Sequence, residues 1–500
     1  MTTPLDDKLD PALRRMIGVI LIGGIMGILD GSMTAVAVDT LSTRFDASLT
    51  TTGWVSTGYL LALTVTIPVT AWAVERVGGR RLWLSGLVLF MAGSVASGLA
   101  WNIGSLIVFR VVQGAGAGIL DPLMLTLLAR AAGPALIGRV MGVMGIVGST
   151  GPVLGPIVGG IILQGLDWRW MFFVNVPIVI VAFVLARRTL PAEPPEGRAV
   201  AGRLDVLGVA LIGPGVATGV LALSEVAQRG SLTSWQVLLP LAVAVVLLAG
   251  YALHALPTRA TPPLIDLRLF TRRSFTASVV AAAVLGLATF ASIFVIPLYY
   301  QQVRGYGVFE SGLRLAPFGV GSALVMPLAG RLSDRWGSRN LALTGAAVAL
   351  LSSLAFSRFD THTAQLWPLL AAFTLGIGTG SAGAPVIGSV YRTLPPQLVP
   401  QGSSVLYMLN QLGASIGIAV VALLMQNAGA DHPRTGFHDA YLAVGVALVV
   451  MIVASLFIPG RAVAGAEPAG GEPVEPGAEE SEESGGERTV ARAGRQDHAN

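Results

Sequence analysis

Apolar residues in this chain gather in blocks separated by short polar turns, and a run of about 20 such residues is the length a helix needs to cross a bilayer. The pattern predicts fourteen spans. Six come first, near 15–39, 53–74, 82–100, 103–130, 138–163 and 170–187. A polar linker, PAEPPEGRAVAGRLD (191–205), separates them from two more, near 206–224 and 235–256. After a basic loop at 257–274 come six others, near 275–300, 309–330, 341–357, 366–389, 400–426 and 438–458. Helices are predicted throughout, because hydrocarbon offers no partner for an unpaired backbone group. The first run, Met16 to Val38, is too long for the core of a signal peptide and leads into further spans.

Two polar turns share one pattern. AWAVERVGGRR (71–81) and GRLSDRWGSRN (330–340) each follow an apolar run with a proline three positions before the turn, Pro68 and Pro327. Each carries an acid (Glu75, Asp334), an arginine (Arg76, Arg335) and a glycine (Gly78, Gly337) at matching offsets. Such a repeat indicates two similar halves, an architecture found mainly in secondary transporters. The domains that follow are 1–14 (cytoplasmic N-terminus), 15–190 (first six-helix bundle), 191–205 (linker), 206–256 (two-helix insert), 257–274 (cytoplasmic loop), 275–460 (second six-helix bundle) and 461–500. The last segment is rich in Gly, Glu and Pro without periodicity and is expected to be a disordered cytoplasmic tail.

Composition agrees with a membrane chain. It is 53% hydrophobic and 12% charged, where a soluble protein carries about twice that charged fraction. There is no cysteine, which removes disulfides, thiolate metal ligands and thiol catalysis. Lys8 is the only lysine, and the Arg-, Ala- and Gly-rich usage points to a GC-rich bacterial genome. With both termini inside, basic residues favour the inner loops by roughly three to one, as the positive-inside rule requires. The expected location is therefore a bacterial plasma (inner) membrane, crossed many times, with both termini cytoplasmic.

Several residues in the spans carry chemistry. Asp30 lies 14 residues or so from the inner end of its span, roughly 21 Å at 1.5 Å per residue. An ionisable group at that depth is a functional candidate by default. Burial penalises its charged form and a nearby cation favours it, so a carboxyl held between the two can load and release a proton. Arg110, at the same depth in the fourth span, is the natural partner, and Gln113, one turn on, can bond into the cluster. A static salt bridge that only joins helices is the plain alternative. Asp121 returns to nearly the face of Arg110. It is a second proton site, a cation contact, or a solvated residue at the mouth of an inner cavity. Asp39, on the opposite face from Asp30, is expected to be solvated.

The fifth span places Gly138, Gly142, Gly145, Gly148, Gly151, Gly155 and Gly159 on one stripe, with Pro152 and Pro156 inserted. Small residues let backbones approach and prolines bend the helix, so this span is expected to be a flexible, tightly sealed helix between the halves. Glu75 and Asp334 end helices on the cytoplasmic side, where a carboxylate is attracted to the N-terminus of a helix in the opposite half. Those helices begin near Pro400–Ser403 and Gly138. Cross-half contacts there would latch the cytoplasmic side shut. Substrate contacts are expected among Met26, Met33, Tyr59, Phe290, Phe294, Tyr299, Tyr407 and Asn410, since thioethers and aromatic rings suit varied apolar ligands.

Taken together, these motifs resemble the major facilitator superfamily over essentially all of 10–460. The turn at 71–81 resembles its signature second loop, with Glu75 in place of the usual aspartate and Gly79 where an arginine is common; GRLSDRWGSRN resembles the equivalent loop of the second half more closely. LIVFRVVQGAGAG (106–118) resembles the arginine motif of the fourth span, which implies proton coupling for Arg110. GPVLGPIVGG (151–160) resembles the fifth-span motif typical of antiporters, with Gly151, Gly155, Pro156 and Gly159 in gating positions. LDGSMTAVAV (29–38), WRWMFFVNVP (168–177), IPLYYQQVRGYGVFESGLRLAPFG (296–319) and the fourteen-span pattern resemble the drug:proton antiporter subgroup. Ala35 and Asp39 stand where Asn and Pro are usual, while Asp30 is retained.

The resemblance implies an all-α membrane protein of the major facilitator fold: two six-helix bundles plus two extra central helices. It implies a proton-coupled efflux antiporter for drug-like or other hydrophobic organic compounds, with no cofactor and the proton gradient as energy source. No ATP-binding GxxxxGK[ST] loop is present. The expected partners are the lipid bilayer, a small organic substrate and protons, with no nucleic acid, and the expected unit is a monomer. Two rivals share the fold: a proton-coupled importer or facilitator of a small metabolite, and a dedicated exporter of an endogenous antibiotic or metabolite. A non-transporting sensor is opposed by the intact coupling residues. No enzyme is expected, because His254, His362, His432, His438 and His498 make no ligand-spaced set and no metal site is predicted.

Overall fold

The computed structural model describes residues 10–191, 204–256, 263–360, 362–392, 394–429 and 433–460. The tail expected at 461–500, most of the 191–205 linker, the first nine residues and the front of the 257–274 loop lie outside the described residues.

Every long element among the described residues is a helix. The spans are α1 (Pro11–Val36), α2 (Leu49–Val77) and α3 (Gly79–Gly98), then one continuous 63-residue element, Ile103–Gly165. At 1.5 Å per residue that element would be about 95 Å long, some three times a bilayer core, so it cannot be a single crossing. Its backbone leaves the helical region at Gly133 (φ 61°, ψ 175°). Pro134 follows, and proline suits the first turn of a new helix. The two arms are α4 (103–132) and α5 (134–165). A loop expected between them, at 131–137, is thus reduced to a one-residue break.

The remaining spans are α6 (Asn175–Thr189), α7 (Val206–Arg229), α8 (Trp235–Ala255), α9 (Arg273–Leu298), α10 (Ala316–Trp336), α11 (Ser338–Phe356), α12 (Leu366–Arg392), α13 (Val399–Ala428) and α14 (Pro433–Ser455). Thirteen helices are long and apolar enough to cross a membrane when the broken one is counted once. Counting its two arms separately gives the fourteen expected. The span expected at 309–330 is interrupted after a short helix, Val308–Leu313, and α10 starts afresh with Pro317 in its first turn.

Local sequence sets the helix ends. Asn102 and Ser105 form a reciprocal capping box at the start of α4, with the Ser105 amide donating to Asn102 Oδ1 at 2.7 Å. The repeated turns end α2 and α10 on Gly78 (φ 90°) and Gly337 (φ 88°), a backbone region that favours glycine. Their shared offset in the sequence is therefore a shared backbone geometry. Arg76 and Arg335 remain exposed beside them.

Helices α1–α6 make up the first half of the chain's spans, and α9–α14 the second. Between them α7 packs against α2 of the first half and α13 of the second, and α8 packs against α7. The outer faces are apolar and open: Val246 is 69% exposed, Leu351 68% and Val446 64%. In water such faces would aggregate; in a bilayer they are ordinary lipid contacts.

Candidate functional site

Asp30 in α1 and Arg110 in α4 form an ion pair in the interior of the first half, with Arg110 Nη1 donating to Asp30 Oδ2. Asp30 is 1% exposed, Arg110 and Gln113 0%. The same Nη1 donates to Gln113 Oε1 at 2.7 Å, and Gln113 Nε2 donates to Asp30 Oδ1 at 2.9 Å. A further donor is Asn175 in α6, whose Nδ2 reaches Asp30 Oδ1 at 2.7 Å and Ser94 Oγ at 3.1 Å. Arg110 Nε donates to the Val55 carbonyl at 3.2 Å, and its guanidinium lies 4.1 Å from the Tyr59 ring centroid. Both carboxylate oxygens are thus satisfied, as a buried charge requires.

Close backbone approach makes this cluster possible. A Cβ on Gly93 of α3 would lie 2.6 Å from Gln113 Cα, so any larger residue would push α4 away and carry Arg110 and Gln113 with it. Removing the amide of Asn175 leaves Oδ1 with a single donor. Because a hydrogen bond to a charged group contributes about 1.5–3 kcal/mol, Asn175→Ala is expected to lower the thermal midpoint of the purified protein. Asn175→Gln, which can reach the same oxygen, should recover part of that loss.

Asp121 lies on the same helix, 2% exposed. That depth of burial removes the expectation of a solvated residue at a cavity mouth. Tyr407 of α13, in the second half, donates its hydroxyl to Asp121 Oδ2, while Oδ1 has no hydrogen-bond partner. Asp39, by contrast, is exposed as expected.

A cavity of about 180 Å³ sits where the halves meet. Ile28, Leu125 and Ser149 line it from the first half, and Phe290, Ser322, Tyr407, Asn410 and Gln411 from the second. It brings together Phe290, Tyr407 and Asn410 of the expected substrate contacts. Met26, Met33, Tyr59, Phe294 and Tyr299 do not line it. Met26 and Met33 are 2% exposed and packed between helices. Tyr59 is spent on Arg110 and on the Gly27 carbonyl, to which its hydroxyl donates at 3.0 Å. Phe294 packs against the core, and Tyr299 is fixed at the far end by a 3.1 Å bond to the Asp360 carbonyl.

The repeated turns behave differently from each other. Asp334 reaches across to the start of the glycine stripe: Oδ1 accepts from the Gly138 amide and Oδ2 from the Arg139 amide, each at 2.9 Å. Arg392 Nη2 adds a 3.0 Å bond to Oδ1. Glu75, expected to meet the helix that begins near Pro400–Ser403, pairs instead with Arg130 of its own half. The break at Gly133 explains this, because it ends α4 one turn beyond Arg130, beside the end of α2. A wider pocket of about 540 Å³ opens there, between Glu75, Arg130, Tyr391 and Val399.

The glycine stripe is divided as well. Its Gly138 and Gly142 end meets α10 of the other half, where a Cβ on Gly142 would lie 2.7 Å from the Met326 carbonyl. Gly151, Gly155 and Gly159 face α1 of their own half. Between them Gly148 faces the cavity, so the helix seals the halves together over only part of its length.

Residues 20–418 match the family model described as Major Facilitator Superfamily. The chain belongs to the major facilitator superfamily. Among members of that superfamily, it is 36% identical over 421 residues to the multidrug resistance protein B homolog of Mycobacterium tuberculosis (strain ATCC 25618 / H37Rv), covering 84% of this chain and 77% of that one. It is 28% identical over 425 residues to the multidrug export protein EmrB of Escherichia coli (strain K12), covering 84% and 80%. The solved structure of the proton:xylose symporter XylE, bound to 6-bromo-6-deoxy-D-glucose, superposes with a TM-score of 0.63 at 16% identity, covering 90% and 96%. That likeness shows the fold. A superfamily chain with these helices is a multi-pass membrane transporter.

Sequence reading missed Asn175, Ser94 and Arg392 in this superfamily frame. Asn175 had a signal: it is a lone amide inside the apolar run FVNVPIVIVAF. Ser94 had none, since a serine in a membrane helix commonly bonds to its own backbone. Arg392 stands at the end of an apolar run, where an arginine reads as a solvated loop charge, yet its side chain is 3% exposed.

Proposed function

We propose that this chain is a proton-coupled efflux antiporter that moves hydrophobic organic compounds out of a bacterial cell by alternating access. The carrying observation is the Asp30–Arg110–Gln113–Asn175 cluster: a carboxylate with every partner inside one half, two residues along α1 from Ile28, which lines a cavity shared by both. Relatives named for multidrug resistance and export support the direction and the substrate class.

In this reading the arginine-rich loops and both termini face the cytoplasm, in the inner membrane. Asp334, on Gly138 and Arg139, closes that side in the state described, and Glu75 does not contribute. A proton taken up by Asp30 cancels its charge and frees the guanidinium of Arg110, and the rearranged first half rocks against the second. Releasing the proton restores the ion pair. Substrate occupies the cavity at Phe290, Tyr407 and Asn410. The chain acts as a monomer on protons and a small organic solute, with the proton gradient as its energy source.

Reconstitution in liposomes with ethidium as probe tests the proposal. An imposed pH gradient should drive ethidium toward the acidic side, in exchange for protons; movement with the protons would instead establish an importer. The latch has its own test. A side chain at Gly142 would overlap the Met326 carbonyl, and overpacking costs about 1–3 kcal/mol. Gly142→Val should shift the equilibrium roughly five- to a hundredfold toward opening at the cytoplasmic end. The chain has no cysteine, so maleimide labelling of Ser322→Cys from that side reads the shift directly.

A further inference from the structure

Asp121 differs from Asp30 in who holds it. Asp30 is bonded only by residues of its own half, including a cation. Asp121 has one hydrogen bond, and it comes from Tyr407 in the opposite half. Its other oxygen, Oδ1, is buried without a partner, facing α1 at Gly27, where a Cβ would lie 3.2 Å away. The titratable and charged groups around it are few. From α2 comes Tyr59, whose hydroxyl donates to the Gly27 carbonyl. From α13 comes Tyr407, and from α1 Asp30, three residues past Gly27. On its own helix is Arg110, whose charge is committed to Asp30. Among the described residues no cation pairs with Asp121.

We infer that Asp121 is a second proton-binding site, and that the Tyr407 hydroxyl makes its protonation depend on whether the two halves are together at this level. The inference rests on the coupling role proposed for Asp30. A buried carboxylate with one phenol donor and no cation is expensive, whereas the neutral acid is not. With the halves together the site therefore holds a proton. Tyr407 also lines the cavity between the halves, so it is the side chain that separates Asp121 from any water there. When α13 moves away from α4, the hydroxyl leaves Oδ2 and water of the opened cavity replaces it. The carboxyl then gives its proton to that water and remains as a hydrated carboxylate. Re-protonation comes when the cavity has turned to the other side of the membrane: water there gives a proton to the carboxyl, and the Tyr407 bond re-forms as the halves close, so one proton crosses per cycle. Two acids then each carry a proton through the cycle, one inside a half and one between halves.

Two measurements on the purified full-length protein test this. In pH-difference infrared spectra the parent should show two buried carboxyls; Asp121→Asn should remove one band and Asp30→Asn the other. Tyr407→Phe should shift the Asp121 band and leave the Asp30 band in place. In liposomes, the steady-state ethidium gradient of Asp121→Asn should fall about fortyfold per 100 mV, the share of one proton. An unchanged gradient and an unchanged spectrum in Asp121→Asn would overturn the second site, and an unshifted band in Tyr407→Phe would overturn its control by the other half. If Asp30→Asn keeps the full gradient, the coupling reading itself fails, which is a separate outcome. Should Asp121→Asn not purify, the Tyr407→Phe spectrum decides.

Discussion

Asp30→Asn is expected to lower the steady-state ethidium gradient by at least about fortyfold per 100 mV of driving force, because each proton moved across 100 mV carries about 2.3 kcal/mol and each 1.4 kcal/mol is tenfold. The amide occupies the same volume but binds no proton at neutral pH. Gradient-independent equilibration of the dye should persist, since the cavity at Phe290, Tyr407 and Asn410 is untouched. Flux assays with and without an imposed gradient separate the two. A variant that also loses passive equilibration would point to a structural role for the ion pair.

Arg110→Ala is expected to be the most destabilising of the substitutions considered. It leaves Asp30 buried with amide donors alone and empties the space against Tyr59. Removing one partner of a buried pair costs about 3–5 kcal/mol, mostly through the uncompensated charge that remains. Asp30→Asn should be destabilised for the mirror reason, with Arg110 left unpaired. The charge-neutral double variant Asp30→Asn/Arg110→Gln should recover most of either loss, while its coupling stays absent. Thermal unfolding of the parent, Asp30→Asn, Arg110→Gln and the double variant in detergent forms a double-mutant cycle, with Arg110→Ala measured beside it. If the double variant is no more stable than Arg110→Ala, burial of an unpaired charge is not what Arg110 relieves.

Depth was legible in the sequence and rotation was not. Counting residues from the ends of two apolar runs was enough to pair Asp30 with Arg110, because an ionised group at that depth needs a partner and few exist. The matched glycines Gly78 and Gly337 were legible as a repeat for a similar reason: a turn with positive φ restricts the residue that can occupy it. Helices that are apolar all round give no sign of which face meets lipid, a neighbour or a cavity. The pattern therefore does not distinguish Met26, Met33 and Phe294, which lie between helices, from Tyr407 and Phe290, which line the cavity. The partner of Glu75 was hidden by Gly133. A short loop at 131–137 would have left Arg130 free, but the one-residue break fixes it beside α2. Asp334 also meets an arginine of its own half, Arg392, but that contact leaves its oxygens free to accept from the amides of Gly138 and Arg139 across the halves.

Exchange of a hydrogen ion for substrate at Asp30 underlies the proposed transport. It is tested most directly by following luminal pH in sealed vesicles while an ethidium gradient, with no pH gradient imposed, drives the transporter. Protons are expected to move opposite to the dye, and the number moved per dye molecule to fall by at least one in Asp30→Asn. A luminal pH that does not respond to transport by the parent, or a proton count that Asp30→Asn leaves unchanged, would contradict it.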